Sequence, residues 1–122
     1  MIEPDVEDIQ FEIIFYEKIL KESPDFIEVL SALAEVYTRA GDYQKGLDAD
    51  KRLAVLCPND PLVFYNLACS FALTGAREES LENLETAVRF GYDEPEHMKK
   101  DQDLKILHED ERFWKLLERL KV

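Results

Sequence analysis

The sequence predicts an all-α fold built from pairs of helices, and three observations support this prediction. First, two segments repeat each other 34 residues apart, so that Leu33–Ala34 returns as Leu67–Ala68 and Gly41 returns as Gly75. Second, the apolar residues of these segments recur at intervals of three and four residues, which is the period of an amphipathic helix. Third, only 4 Gly and 5 Pro occur among 122 residues, which leaves little room for a β architecture with many turns.

The first predicted helix runs from about Val6 to Glu22. Asp5 is placed to cap its N-terminus, and residues 1–4 are expected to be a frayed end. The helix is expected to stop before Pro24, because a residue that precedes proline disfavours the helical conformation. One apolar stripe consists of Val6, Ile9, Ile13, Tyr16 and Leu20. A second stripe, on nearly the opposite side, consists of Phe11, Phe15 and Ile19. A helix that is apolar on two sides requires neighbours on two sides.

Two complete helix pairs are predicted next. The first pairs Phe26–Ala40 with Asp42–Leu56, and the second pairs Asp60–Thr74 with Arg77–Phe90. Gly41 is expected at the sharp turn between the first two helices, where a residue without Cβ is needed. Gly46 lowers the helix propensity of its segment by about 1 kcal/mol, and close packing is the expected reason for its presence.

The segment after Tyr92 is predicted to remain helical although the repeat decays there. Three short helices are expected, at Pro95–Lys100, Asp103–Leu107 and Asp110–Leu120. The last of them has an apolar stripe made of Phe113, Leu116, Leu117 and Leu120.

The 34-residue period, with Leu-Ala, an aromatic at Tyr37 and Phe71, a Gly and a closing Pro at 24 and 58, resembles the tetratricopeptide repeat (TPR) family. The resemblance implies a short right-handed α-solenoid that forms one domain. Its parts would be a lone N-terminal helix at 6–23, full repeats at 26–57 and 60–91, and a helical cap at 94–121. The lone helix would be the second half of a repeat whose first half would precede Met1.

The predicted cap carries a motif of its own. The segments Asp101–Leu104 and Leu107–Phe113 resemble the closing segment of many bacterial TPR proteins. A solenoid requires such a cap because its last repeat would otherwise expose its stacking face. Phe113 and Trp114 are expected to plug that face.

The resemblance also implies a binding groove, because the first helix of each TPR unit lines a concave surface. In the first unit the groove residues would be Glu28, Ser31, Glu35, Thr38 and Arg39. In the second unit they would be Leu62, Tyr65, Asn66, Cys69, Ala72 and Leu73. The first set is acidic and polar, and the second is mostly apolar. An alternative is that the cap folds back and buries Leu62 and Leu73.

One known ligand class of such grooves, the C-terminal carboxylate of heat-shock chaperones, is excluded by the residues present. Asn66 matches one residue of that clamp and Lys100 could supply a base, but Ser31, Glu35 and Glu96 stand where Lys, Asn and Lys are required. An anionic chain end would meet carboxylates there.

The acidic composition limits the partners further. The net charge is −12, from 27 acidic and 15 basic residues. Such a field repels phosphate backbones, so nucleic-acid binding is not expected, and it attracts basic partners. A solubilising surface is the alternative reading.

No pattern in the sequence indicates catalysis, a metal or a cofactor. His97 and His108 do not stand beside a Ser or Cys in a known motif, and Cys57 and Cys69 lack the spacing of metal ligands. No apolar run approaches the roughly 18 residues of a membrane helix, and no signal peptide is recognisable, so a cytoplasmic protein is expected.

The sequence therefore predicts a non-enzymatic module that binds a protein or peptide carrying apolar and basic residues. The alternative is a self-associating structural unit that forms a homodimer through Phe11, Phe15 and Ile19.

Overall fold

The computed structural model describes residues 6–120, and only the backbone at Val6. The predicted frayed end at residues 1–4, the Asp5 cap and the side chain of Val6 lie outside the described residues. Within residues 6–120 every regular element is a helix, which confirms the all-α prediction. None of these helices is both long and apolar enough to cross a membrane.

Seven α-helices and one 3₁₀ helix follow one another in the described chain. They are α1 (Val6–Glu22), α2 (Ile27–Arg39), α3 (Tyr43–Leu56), α4 (Pro61–Leu73), α5 (Arg77–Arg89), α6 (Pro95–Lys100), the 3₁₀ helix (Gln102–Glu109) and α7 (Glu111–Leu120). The bounds of the α-helices lie within one residue of the predicted ones. The short helix expected at Asp103–Leu107 is a longer 3₁₀ helix, whose start is capped by the Asp101 side chain.

The 34-residue period continues into the C-terminal segment, contrary to the prediction that the repeat decays after Tyr92. Helices α2, α4 and α6 begin at residues 27, 61 and 95, and helices α3, α5 and α7 begin at residues 43, 77 and 111. Within each of these two series, every helix begins 34 residues after the previous one. The predicted cap is therefore a third helix pair whose first member is divided into α6 and the 3₁₀ helix.

The same turn ends helices α2, α4 and α5. After α2, the N–H of Gly41 donates to the carbonyl of Thr38 (3.0 Å) and the N–H of Asp42 to that of Tyr37 (2.9 Å). This pair of bonds is the Schellman motif, which places a left-handed residue directly after a helix. The residues in that position are Gly41, Gly75 and Gly91, with φ of 81°, 84° and 113°.

The chain divides into two compact units, with the boundary between Leu56 and Cys57. In the first unit α2 packs on α1 and on α3. The buried apolar residues of this unit are Leu30, Leu33, Ala34, Val36, Tyr37, Leu47, Ala49 and Leu53. Two polar contacts join α1 to α2: the Tyr37 hydroxyl donates to Glu17, and Arg39 pairs with Glu12 at 3.1 Å.

Small residues allow the two helices of a pair to approach closely at one repeated position. A Cβ on Gly46 would lie 2.9 Å from Thr38 Oγ1 and 3.5 Å from the carbonyl oxygen of Ala34. The position 34 residues later is Ser80, which is wholly buried and donates to the carbonyl of Ala68 at 2.7 Å. Close packing is thus the reason for Gly46, which confirms the prediction made from the sequence.

In the second unit, α4 and α5 share one core with the C-terminal segment. The buried apolar residues that form this core are Tyr65, Ala68, Cys69, Ala72, Leu81, Leu84, Ala87, Tyr92, Met98, Leu104, Leu107, Phe113, Leu116 and Leu117. Phe113 is wholly buried, as its predicted role requires. Trp114 remains 37% exposed, and its indole N–H donates to the carbonyl of His108 at 2.8 Å. Of the two residues predicted to fill the core, Phe113 does so and Trp114 does not.

Candidate functional site

A polar cluster lies where α4 meets the C-terminal segment, and Asp101 is at its centre. Asp101 follows α6 and caps the 3₁₀ helix, because its Oδ1 accepts the N–H of Asp103 at 3.0 Å. Its other oxygen, Oδ2, accepts the hydroxyl of Tyr65 on α4 at 2.7 Å. A single carboxylate thus starts one helix and binds another.

Three further groups surround the same carboxylate. The thiol of Cys69 lies one turn after Tyr65 on α4, with Sγ 3.7 Å from Asp101 Oδ2. The imidazole Nε2 of His97, on α6, is 3.5 Å from that oxygen. Asp103 adds a second carboxylate, and one atom each from Cys69, Asp101 and Asp103 lie within 4.8 Å of one another.

Aromatic rings hold this cluster in place. Tyr65 is 3% exposed and stacks on Tyr92, with ring centroids 4.4 Å apart and ring planes 3° apart. The ring of His97 packs against Tyr65 at 5.6 Å, while 61% of its side chain remains exposed. The cluster is therefore enclosed on the α4 side and reaches solvent at His97.

Burial and the carboxylates make this cluster unfavourable for additional negative charge. Burial, reinforced by Asp101 and Asp103, raises the pKa of the Cys69 thiol well above its usual value. Burial also raises the pKa of Tyr65, and the bond to Asp101 adds to that shift. The pKa of Asp103 is raised by burial and then by the charge of Asp101. Cys69 and Tyr65 are consequently protonated at neutral pH, and a positive charge would be stabilised beside them.

The predicted groove residues of α4 are largely covered by the chain itself. Tyr65, Cys69 and Ala72 are 3%, 7% and 2% exposed, beneath the C-terminal segment. The alternative prediction was that this segment buries Leu62 and Leu73. Leu62 is 55% exposed, which contradicts the prediction there, and Leu73 is partly buried. Asn66 is exposed on the same helix.

The predicted groove residues of α2 are open. Glu28, Ser31 and Glu35 are exposed, and Thr38 is half-buried, with its hydroxyl donating to the Ala34 carbonyl at 3.1 Å. Arg39 is exposed and pairs with Glu12 at 3.1 Å and with Glu35 at 3.8 Å. The stripes on α2 and α4 belong to different units of the chain.

An exposed apolar patch lies on α1. Phe11 and Phe15 are 70% and 51% exposed, and their rings stack with centroids 6.3 Å apart. Ile19 is half-buried, so it contributes less to the patch than its place in the predicted stripe suggests. Ile14, which is 56% exposed, belongs to the patch in its place. The sequence contained a signal for this, because Ile14 follows Phe11 by three residues and so lies on the same side of the helix.

Comparison with known proteins identifies the fold. No family model and no curated protein matches the sequence. A solved structure titled "Crystal structure of MamA" is similar to the present structure. The match covers 98% of this chain and 74% of the MamA chain, with a TM-score of 0.77 and 19% sequence identity. MamA is a TPR-like helical protein. The present fold is TPR-like. This likeness confirms the predicted fold class.

Sequence reasoning missed His97, Asp101 and Asp103 as neighbours of Tyr65 and Cys69. The repeat contained a signal for one of them, because Asp103 follows Cys69 by 34 residues (103 − 69) and occupies the equivalent position in the third helix pair. His97 and Asp101 had no comparable signal. Their contacts depend on the break between α6 and the 3₁₀ helix.

Proposed function

We propose that the chain is a TPR family member and a non-enzymatic interaction module that binds a peptide or partner protein at the open face of α2. The contrast between two equivalent helices supports this proposal most. On α4, the central residues of the face expected to bind a ligand, Tyr65, Cys69 and Ala72, are buried in the core that α4 shares with the C-terminal segment. On α2, the corresponding residues Glu28, Ser31 and Glu35 are exposed.

The chemistry of the α2 face favours a basic ligand. Glu28 and Glu35 present two carboxylates seven residues apart, about two turns along one helix face. The net charge of −12 adds a long-range attraction for cations. We therefore propose a ligand with Lys or Arg opposite Glu28 and Glu35, together with an apolar residue.

The raised pKa of Cys69 supports the non-enzymatic part of the proposal. The thiolate, and not the thiol, is the nucleophilic form of cysteine. Since burial and two carboxylates keep Cys69 protonated, this thiol is suited to packing and hydrogen bonding in place of covalent catalysis.

Selection from a peptide-display library tests the proposal, followed by affinity measurement on the selected peptides. Selected peptides should be enriched in Lys or Arg near an apolar residue. Glu35→Lys should weaken their binding at least about tenfold, because it replaces attraction by repulsion. Asp48→Lys makes the same charge change at an exposed position on α3 and is the matched control. Equal losses in the two variants would indicate a general charge effect and contradict a site on α2.

A second candidate function is self-association through α1, which the exposed patch of Phe11, Ile14 and Phe15 favours. Contiguous apolar surface of this kind commonly marks an interface, and a two-fold dimer would allow each patch to cover its copy. The flanking acids Asp8 and Glu12 would crowd at the rim of such a dimer, so the contact would be modest. They would also suit a basic partner in place of the copy.

Sedimentation over a range of protein concentrations tests this candidate. The double change Phe11→Ser and Phe15→Ser should shift a dimer to monomer and leave helical content unchanged. Val55→Ser is the matched control, because Val55 on α3 is 79% exposed and belongs to the same unit. A wild-type chain that is monomeric at the highest concentration would rule out the dimer.

A further inference from the structure

We propose that Cys69, His97, Asp101 and Asp103 form a Zn²⁺ site that fastens the C-terminal segment to α4. The sequence predicts no metal site, because these residues do not have the short spacing of known zinc motifs. The fold brings them together from α4, α6, and the 3₁₀ helix with its cap.

The distances between the donor atoms suit a tetrahedral metal. Bond lengths of about 2.0 to 2.3 Å place neighbouring ligands of a tetrahedral zinc roughly 3.3 to 3.7 Å apart. Asp101 Oδ2 lies 3.7 Å from Cys69 Sγ and 3.5 Å from His97 Nε2. Asp103 is the fourth donor, within 4.8 Å of the Cys69 and Asp101 atoms. Cys69, Asp101 and Asp103 form the preassembled part of the site, and the exposed His97 side chain, which lies beside Asp101, would turn toward the ion to complete it.

The donor set favours zinc over the harder cations. A thiolate and an imidazole are ligands that Zn²⁺ prefers, whereas Mg²⁺ and Ca²⁺ prefer sites made of oxygen alone. Binding would release the proton of the Cys69 thiol to solvent and form a Zn–S bond. The ion would then offset two of the three negative charges that the thiolate and the two carboxylates carry.

Neighbouring groups already orient the donors. The Tyr65 hydroxyl and the Asp103 N–H hold the two oxygens of Asp101, at 2.7 and 3.0 Å. Tyr65 is itself fixed by its stack on Tyr92. Such outer hydrogen bonds set the direction of ligands at metal sites. His97 is 61% exposed in its side chain, which gives the ion a route from solvent.

The consequence of binding would be a tighter C-terminal segment. An ion that binds only the folded arrangement stabilises it in proportion to its affinity and concentration. The site would thus join α4 to the C-terminal segment through metal–ligand bonds in addition to apolar packing.

The test uses the full chain after treatment with a chelator and titration with Co²⁺, a spectroscopic substitute for Zn²⁺. One equivalent should bind with the absorption band of a Co²⁺–thiolate bond, and Zn²⁺ should displace it. Zn²⁺ should also raise the melting temperature by several degrees. Cys69→Ser should abolish the thiolate band, and His97→Gln should weaken binding at least about tenfold.

Two matched controls make the result specific. Cys57→Ser and His108→Gln remove the other cysteine and the other histidine, neither of which belongs to the cluster, and both should bind Co²⁺ like the wild type. If Cys69→Ser does not fold, Asp103→Asn takes its place and should weaken binding at least about tenfold. The absence of a thiolate band in the wild type would overturn the proposal. Survival of the thiolate band in Cys69→Ser, or an unchanged Co²⁺ affinity in Asp103→Asn, would also overturn the proposal.

Discussion

At the scale of single residues, Asp101 shows how one side chain can organise a junction between helices. It caps the 3₁₀ helix with one oxygen and receives the Tyr65 hydroxyl with the other. A bond to a charged acceptor in a buried place contributes more than a bond between neutral groups. The second unit therefore depends on a polar contact inside its apolar core.

We predict that Tyr65→Phe destabilises the chain by about 1.5–3 kcal/mol, the range for a hydrogen bond to a charged group. The aromatic stack on Tyr92 would remain, so the loss reports the hydroxyl alone. Urea unfolding followed by circular dichroism measures the change. Tyr43→Phe is the control, because Tyr43 is 40% exposed, and its effect should stay within about 0.5 kcal/mol. Equal effects of the two changes would contradict the role given to the buried bond.

A second prediction concerns Gly46, whose missing Cβ would lie 2.9 Å from Thr38 Oγ1. In the wild-type background this crowding offsets the helix propensity that Gly46→Ala would gain. In a Thr38→Ala background the obstructing oxygen is gone, so Gly46→Ala should stabilise by about 1 kcal/mol. A double-mutant cycle in urea measures the difference. The same effect in both backgrounds would mean that Thr38 is not what restricts position 46.

At the scale of elements, charged pairs link α5 to α7. The guanidinium of Arg112 donates to both oxygens of Glu78, at 2.6 and 2.9 Å, and also to Asp110. Arg119, about two helical turns after Arg112 on α7, pairs with Glu85 at 2.9 Å. Both pairs join residues 34 apart, so the repeat period also sets the register of these charges. Hydrogen bonds from Arg112 lower the pKa of Asp110 to about 2.

We predict that Arg112→Gln returns the pKa of Asp110 toward its usual value of about 3.9. A folded-state pKa below the unfolded value means that Asp110 stabilises the fold above about pH 4 and loses this contribution as the pH falls toward 2. The stability difference between wild type and variant should therefore shrink between pH 5 and pH 2. Carboxyl chemical shifts in an NMR titration measure the pKa directly. Arg119→Gln is the control and should leave Asp110 unchanged; a shift of equal size there would contradict a specific contact.

The elements were more predictable than the contacts between them. Gly41, Gly75 and Pro24 stop helices through backbone conformation alone, so the bounds of α1 to α5 follow from local sequence. The third helix pair was read only as a cap, because Tyr92 stands where the period calls for Pro. The position of Asp101 against Tyr65 could not be predicted, since it requires the C-terminal segment to fold over α4. Likewise, the spacing of apolar residues showed which face of α4 is apolar, but it did not show that the C-terminal segment covers part of that face.

At the scale of the whole molecule, the net charge of −12 opposes compaction. The ion pairs of α5 and α7 are exposed and contribute little against this general repulsion. We predict that added NaCl raises the melting temperature, because the Debye length shortens to about 10 Å at 0.1 M and screens the repulsion among the acids. Calorimetry from about 0.01 to 0.2 M salt measures the trend. A melting temperature that falls with salt would show that the exposed pairs dominate.

At the three Schellman turns the chain has positions where an L-residue could be replaced by its mirror image, a D-residue. Gly41, Gly75 and Gly91 have positive φ, and a Cβ added to any of them meets no atom within 4 Å. An L-residue there is strained by about 1–2 kcal/mol, whereas a D-residue has the mirror preference and fits without strain. Chemical synthesis with D-alanine at position 75 should therefore stabilise the chain by about 0.4–1 kcal/mol, since the unfolded chain loses freedom and the folded turn loses nothing. L-alanine at the same position should do the opposite, so this pair of mirror-image variants would measure how far the turn depends on backbone conformation alone.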